Sequence, residues 1–278
     1  MRFLEALHAQ RDSGRALLAA NFYNAETLLA VLRAARQTEA QIILQTSPST
    51  LTYLGVELAV AMSRAAAREN DVIAWLHLDH ATDAALIRRC IEAGYDSVMI
   101  DASEQDWETN VVQTQQVVAM AHTADVAVEA ELGYVPKLGQ ADVEEAGLTT
   151  PEEAQRFVEA TSVDLLAVAI GNAHGLYKRP PALDLPRLAA IHVAVPTPLV
   201  LHGGSGLSAV QWQETIRRGI VKINFATEIK DAFIQAIKPA LNESAESDLR
   251  KTFPIGMEAV TRLVATKIRI CQMQGAEE

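Results

Sequence analysis

Eight short apolar runs separated by amphipathic stretches constrain this chain more than any other feature. They are "LLAANFY" (17–23), "QIILQTS" (41–47), "DVIAWLHLD" (71–79), "SVMIDAS" (97–103), "VAVEAELG" (126–133), "LLAVAIGN" (165–172), "TPLVLHG" (197–203) and "VKINFAT" (221–227). Each is short, rich in β-branched and aliphatic residues, and reads as a strand buried on both faces. Between them lie helical patterns such as "NAETLLAVLRAARQTEA", "TDAALIRRCIEAG", "TPEEAQRFVEATS" and "SAVQWQETIRRG". Several of these open on Asn, Thr or Ser, whose side chains cap helix N-termini. Thr150, Pro151 and Glu153 form a capping-box pattern, and "EAGYD" and "RRGIV" end helices on glycine. Alternation at this spacing predicts parallel strands joined by right-handed crossovers. Eight units favour an α/β fold of the closed (β/α)8 barrel type. An open doubly wound sheet would want a dinucleotide fingerprint after the first strand, and "NFYNAE" is not one. The run "FPIGMEAVTRLVATKIRICQM" (253–273) predicts an extra C-terminal helix.

Composition narrows the class. The chain has 278 residues, 49% hydrophobic and 21% charged, enough for a full core without staples. With no linker or abrupt shift in composition, residues 1–278 read as a single barrel domain. Cys90 and Cys271 are far apart and lack metal-type spacing, which suits a reducing, cytoplasmic setting. The start does not read as a signal peptide, and no apolar stretch is long enough to predict a membrane span. The formal charge of −11 argues against a nucleic-acid partner, although local donors can still hold an anionic ligand.

Chemistry in such a barrel sits at the C-terminal ends of the strands. Here those ends carry Asn21 and Asn24, Ser47, Asp79 and His80, Asp101 and Ser103, Glu131, Asn172 and His174, His202, and Asn224 with Thr227. One histidine among these would read as a local hydrogen-bonding group. Three, His80, His174 and His202, at matching strand ends suggest a catalytic zinc site with an open position. His8, His122 and His192 lie on helical or loop segments, and His77 shares the strand face of Asp79. Asp79 is placed for proton transfer to a metal-bound substrate, or to orient a histidine. Asp101 and Glu131 suit orienting a ligand, binding a further cation or capping a helix. "LHGGSGLS" (201–208) and "KINFATE" (222–228) supply glycines and helix N-termini that can close around a phosphate. Zinc, an acid and a phosphate cradle suit aldol chemistry beside a carbonyl, and also isomerisation or hydrolysis.

The segments "NFYNAET", "HLDHAT", "SVMIDAS", "VEAELG", "VDLLAVAIGNAHGLYK", "PLVLHGGSGL" and "VKINFATEIK" together resemble the class II, zinc-dependent ketose-bisphosphate aldolases, especially the tagatose-bisphosphate branch. The resemblance implies cleavage of a tagatose- or fructose-type 1,6-bisphosphate to dihydroxyacetone phosphate and an aldehyde such as glyceraldehyde 3-phosphate. It implies a homodimer or homotetramer, Zn2+ on His80, His174 and His202, and Asp79 exchanging the C4 hydroxyl proton. It places the dihydroxyacetone-phosphate segment at Gly175, Gly203, Gly204, Ser205, Asn224, Phe225, Ala226 and Thr227. It allows a monovalent cation (Na+ or K+) among the backbone oxygens around Gly175, Gly203 and Ser205. Asn24 and Ser47 match substrate-side positions, and Asp101 and Glu131 match acids near the metal. The loop "ELGYVPKLGQADVEEAGLTTP" (131–151) is shorter than in relatives and lacks their glycine pair. Asp142, Glu144 and Glu145 are all candidates for the base it would carry. The tail "ICQMQGAEE" lacks the arginine that grips the aldehyde-side phosphate, and neither Arg250 nor Arg269 matches it; Ser49 stands where glycine is common. These departures leave room for a sulfonated or carboxylated aldehyde. A non-catalytic partner subunit of an aldolase is the reading from another class, and such a chain would be marked by lost metal histidines.

Overall fold

The computed structural model describes residues 2–136, 147–175, 181–243 and 247–274. Eight parallel strands pair in chain order: β1 (Leu17–Asn21), β2 (Ile42–Thr46), β3 (Ala74–Ala81), β4 (Ser97–Ile100), β5 (Ala127–Leu132), β6 (Leu165–Val168), β7 (Leu199–Leu201) and β8 (Ile220–Phe225). β8 returns to pair with β1, from Leu17 opposite Lys222 to Ala20 opposite Phe225, and closes the barrel. Helix α1 (Phe3–Asp12) precedes β1. The crossovers carry α2 (Ala25–Gln37), α3 (Pro48–Leu54), α4 (Val56–Glu69), α5 (Ala84–Ala93), α6 (Trp107–His122), α7 (Pro151–Thr161), α8 (Leu185–Ala194) and α9 (Ala209–Ile216). After β8 come α10 (Thr227–Glu243) and the expected C-terminal helix, α11 (Leu249–Cys271), which packs on α10 and α2.

Local chemistry explains the helix starts. Asn24, Ser47, Asp106, Thr150 and Ser208 each accept a backbone N–H of the helix they open. The Thr150–Glu153 capping box forms with Pro151 in the first turn.

Two apolar layers hold the barrel. Outward strand residues such as Leu44, Leu76, Val128 and Leu166 pack against the helices, with Phe157 and Trp212 fully buried among them. The inner floor is Leu17, Ala19, Ile43, Trp75, Ala127, Leu165, Ala167, Val200 and Val221, and Phe3, Ala6 and Leu7 of α1 pack onto it. Phe3 meets Trp75 edge-on at 6.1 Å. Above this floor the inward side chains become polar. Gln45, His77, Ser97, Glu129 and Lys222 are all wholly buried. The barrel is therefore closed by hydrocarbon at its N-terminal end and lined by hydrogen-bonding groups toward its C-terminal mouth.

Candidate active site

Asp79 and His80 are neighbours on β3, and strict alternation would send them to opposite faces. The pairing with β4 slips between Leu78 and Ala81, and His80 takes φ +50°. Both side chains consequently reach the mouth. A left-handed backbone at a residue bearing a Cβ costs about 1–3 kcal/mol, which the surrounding contacts must offset.

His80, Glu131, His174 and His202 bring one ligand-type atom each within 4.8 Å of one another. Around them the side chains are firmly oriented. His80 Nδ1 is 2.6 Å from Asp101 Oδ2, and Asp101 Oδ1 accepts from the Ser103 amide and hydroxyl. That leaves His80 Nε2 buried without a hydrogen-bond partner. His202 Nε2 lies 2.8 Å from Glu129 Oε1, and its Nδ1 lies 2.6 Å from Glu131 Oε2. His174 sits on the loop after β6, where its amide donates to the Pro136 carbonyl. Asn172 ties this loop down by donating from Nδ2 to the His202 carbonyl.

Charge is unevenly shared. Burial, then His80 and His202, push the His174 pKa down to about 3 and keep it neutral. Burial works against charge on His202 too, but hydrogen bonds to Glu129 and Glu131 outweigh it and raise its pKa to about 10. Burial opposes the charged form of Asp79, yet His80, Lys222 and His202 hold it below the usual carboxylate range. Its Oδ2 accepts from Asn21 Nδ2 at 3.0 Å and its Oδ1 from Asn224 Nδ2 at 2.9 Å.

A metal ion fits these residues. An orphaned, buried imidazole nitrogen needs a partner, and three imidazoles with a carboxylate make a suitable donor set for a four-coordinate divalent ion. Asp101 behind His80 and Glu129 behind His202 are the carboxylates that fix such ligands.

Beside the histidines lies an inner recess of about 40 Å³, lined by Asn21, Asp79, the Gly203–Gly204–Ser205 turn, Asn224 and the Ala226–Thr227 segment, with His80, His174 and Gly175 at its edge. The turn after β7 and the end of β8 approach closely. Gly204 N donates to the Asn224 carbonyl at 3.2 Å, and a Cβ on Gly204 would stand 2.8 Å from that oxygen. An outer cleft of about 680 Å³ continues from the recess past Ser47, Ser49, Asp101, Glu104, Glu131, Tyr134 and Lys230.

The structure thus gathers Asp79, His80, His174, His202, Asp101, Glu131, Gly175, Gly203, Gly204, Ser205, Asn224, Ala226 and Thr227 at one mouth, with Ser47 on the outer cleft. Two residues differ from expectation. Phe225 turns its ring outward against Trp212 at 5.8 Å, because alternation along β8 points Asn224 inward. Asn24 uses its side chain to cap α2 and borders a neighbouring groove with Tyr23, Tyr53 and Lys230. Asp142, Glu144 and Glu145 lie outside the described residues. Sequence reasoning passes over Glu129, Lys222 and Lys230. The signal for the first two is a charge inside an apolar run, two positions before Glu131 and Asn224, which places each on the same inner face one layer deeper.

Comparison with known proteins identifies the family and the fold. The family model for class II fructose-bisphosphate aldolases matches residues 1–276. A candidate fructose-1,6-bisphosphate aldolase from Coccidioides immitis is 31% identical, superposes with a TM-score of 0.89, and matches over 99% of this chain and 97% of its own. The YdjI aldolase from Escherichia coli K12 is 29% identical with a TM-score of 0.85, over 100% of this chain and 99% of its own. The fructose-bisphosphate aldolase of Campylobacter jejuni shares the fold, with a TM-score of 0.84 at 22% identity over 98% and 95% of the two chains.

Proposed function

This chain belongs to the class II fructose-bisphosphate aldolase family and is an aldolase, and from that premise we propose that it is zinc-dependent and reversibly cleaves a ketose 1,6-bisphosphate of the tagatose or fructose type. The products would be dihydroxyacetone phosphate and an aldehyde such as glyceraldehyde 3-phosphate. The observation that carries the reading is the His80–Glu131–His174–His202 cluster beside an ionised Asp79 and above the glycine-lined recess. His80, His174 and His202, with Glu131 close by, would hold the ion, which when bound supplies a Lewis acid for the ketone carbonyl.

The chain's own groups account for the remaining work. Asn21 and Asn224 donate to both oxygens of Asp79 and keep it an acceptor. In cleavage, Asp79 takes the proton from the C4 hydroxyl as the C3–C4 bond breaks, and the bonding electron pair stays on C3 of the dihydroxyacetone-phosphate half. A proton delivered to C3 completes that product, a transfer for which Asp142, Glu144 and Glu145, outside the described residues, are the candidates. In condensation Asp79 returns the hydroxyl proton. Ser205, in the turn that the Gly204 amide ties to the Asn224 carbonyl, and the N-terminus of α10 at Thr227 line the recess where a phosphate would bind.

The aldehyde half would lie in the outer cleft, where Lys230 is the one Lys or Arg among the described lining residues. A single ammonium suits a terminal phosphate, carboxylate or sulfonate alike, so an acceptor with either of the last two is the second reading. A homodimer or homotetramer in the cytoplasm, without nucleic-acid or membrane partners, completes the proposal.

The test is a panel of ketose phosphates, including C4 epimers and carboxylate- or sulfonate-ended analogues, assayed for dihydroxyacetone phosphate release with and without zinc. Stoichiometric zinc and chelator-sensitive cleavage are expected. Full activity after chelation would sink the zinc mechanism, and a chain that takes up no zinc would be a non-catalytic partner instead.

A further inference from the structure

Resting on the aldolase reading above, the geometry points to Lys222 as a positioning residue that sets two arms of the site at once. Lys222 lies on β8, one layer below the mouth, and is wholly buried. Its ammonium is 2.8 Å from Glu129 Oε2 and donates to Asn224 Oδ1 at 2.7 Å. The second oxygen of Glu129 meets His202 Nε2, and the amide nitrogen of Asn224 donates to Asp79. One cation is therefore a single residue removed from a candidate metal ligand on one side and from the proton-transferring acid on the other.

Each arm follows from donor and acceptor chemistry. An asparagine amide can present either its oxygen or its NH₂ to a neighbour, whereas an ammonium only donates. Lys222 must face Oδ1 of Asn224, so the NH₂ is turned to Asp79. Without the ammonium the amide is free to rotate, and an oxygen facing the Asp79 carboxylate would repel it. On the other arm, the ion pair holds Glu129 with Oε1 aimed at His202. A carboxylate there keeps the imidazole proton on Nε2 and leaves Nδ1 for the metal position. Ser97 holds His77 on its far ring nitrogen at 2.9 Å, so Nε2 of His77, 3.8 Å from Glu129, is too distant to take over from Lys222.

A lysine that merely neutralised Glu129 would predict something different, and double-mutant cycles separate the two cases. Lys222→Met, Glu129→Gln and Asn224→Ala, alone and in pairs, are compared by zinc affinity in competition with a chromogenic chelator, by kcat and KM, and by melting temperature. Lys222→Met is expected to lower zinc affinity and kcat each by roughly ten-fold or more, with KM little changed. In the Glu129→Gln background its effect on zinc affinity should vanish while its effect on kcat persists. In the Asn224→Ala background the pattern should invert. Lys222→Met alone leaves buried Glu129 without its ammonium partner, so the pair Glu129→Gln with Lys222→Met, in which both charges are gone, is the variant that keeps the test open if the single one fails to fold. If that pair melts normally and turns over as fast as Glu129→Gln, the inference is overturned. It is equally overturned if Lys222→Met lowers zinc affinity as much in the Glu129→Gln background as in the wild type. Wild-type protein without stoichiometric zinc would instead remove the underlying reading of the site, whereas zinc-loaded, active wild type with a failed cycle removes only the role of Lys222.

Discussion

Asp79 is the residue on which turnover should depend most steeply. Replacing it with Ala is expected to lower kcat by about 10²–10⁴-fold, the usual worth of a positioned proton-transfer group, while zinc uptake continues because the ligand side chains remain. Steady-state kinetics beside metal analysis checks both halves of that statement. Titration gives a second prediction at this scale. In the metal-free protein His202 is raised to about 10, above its unfolded value, so its contribution to stability is present below about pH 6.5 and is lost as pH rises toward 10. His77 and His174 are lowered to about 3, chiefly by burial, so their contribution is lost as pH falls from about 6.5 toward 3. Melting temperatures should decline on both sides. Zinc should remove the alkaline decline, because the ion replaces the proton on Nδ1 of His202, and calorimetry in two buffers should find on the order of one to two protons released per ion. The three histidines and Asp79 are legible from position alone, since strand ends in a barrel face one mouth. The left-handed turn at His80 is not, because alternation gives no hint that adjacent residues share a face. Nor are Glu129 and Lys222, whose charges sit inside runs that read simply as apolar.

At the scale of elements, the loops after β6, β7 and β8 form one packed unit. Gly203 adopts φ +67°, and a Cβ there would run into the Ala173 carbonyl. Gly203→Ala should therefore destabilise the protein by about 1–3 kcal/mol and raise KM by displacing the recess lining, as denaturant melts and kinetics would show. From the far side, Glu228 at the start of α10 accepts the Gly206 amide at 2.7 Å, and Lys267 of α11 is 3.2 Å from the same carboxylate oxygen. Lys267 also stands over the rings of Trp212 and Phe225. The strands and most crossover helices are readable from periodicity, turn residues and caps. The brace between α10, α11 and the β7 turn is not, because contacts between residues so distant in sequence leave no local pattern.

For the whole molecule, the alternation of runs announces the closed barrel, but not how its floor is sealed. Phe3, Ala6 and Leu7 recur at helical spacing in α1 and pack onto the inner core, a pattern too short to stand out in the opening segment of the sequence. That seal has a kinetic consequence. With hydrocarbon below, the small recess adjoins, among the described residues, the outer cleft above it, with which it shares Asp79, His80, His174, Gly175 and Thr227. Whatever fills the recess has to enter first and depart last, and whatever fills the cleft stands in its way. For the cleavage proposed above, the aldehyde should therefore leave before dihydroxyacetone phosphate. In product-inhibition experiments dihydroxyacetone phosphate should compete with the ketose, while the aldehyde should inhibit noncompetitively. The reverse pairing would mean that the two halves do not queue through a single door.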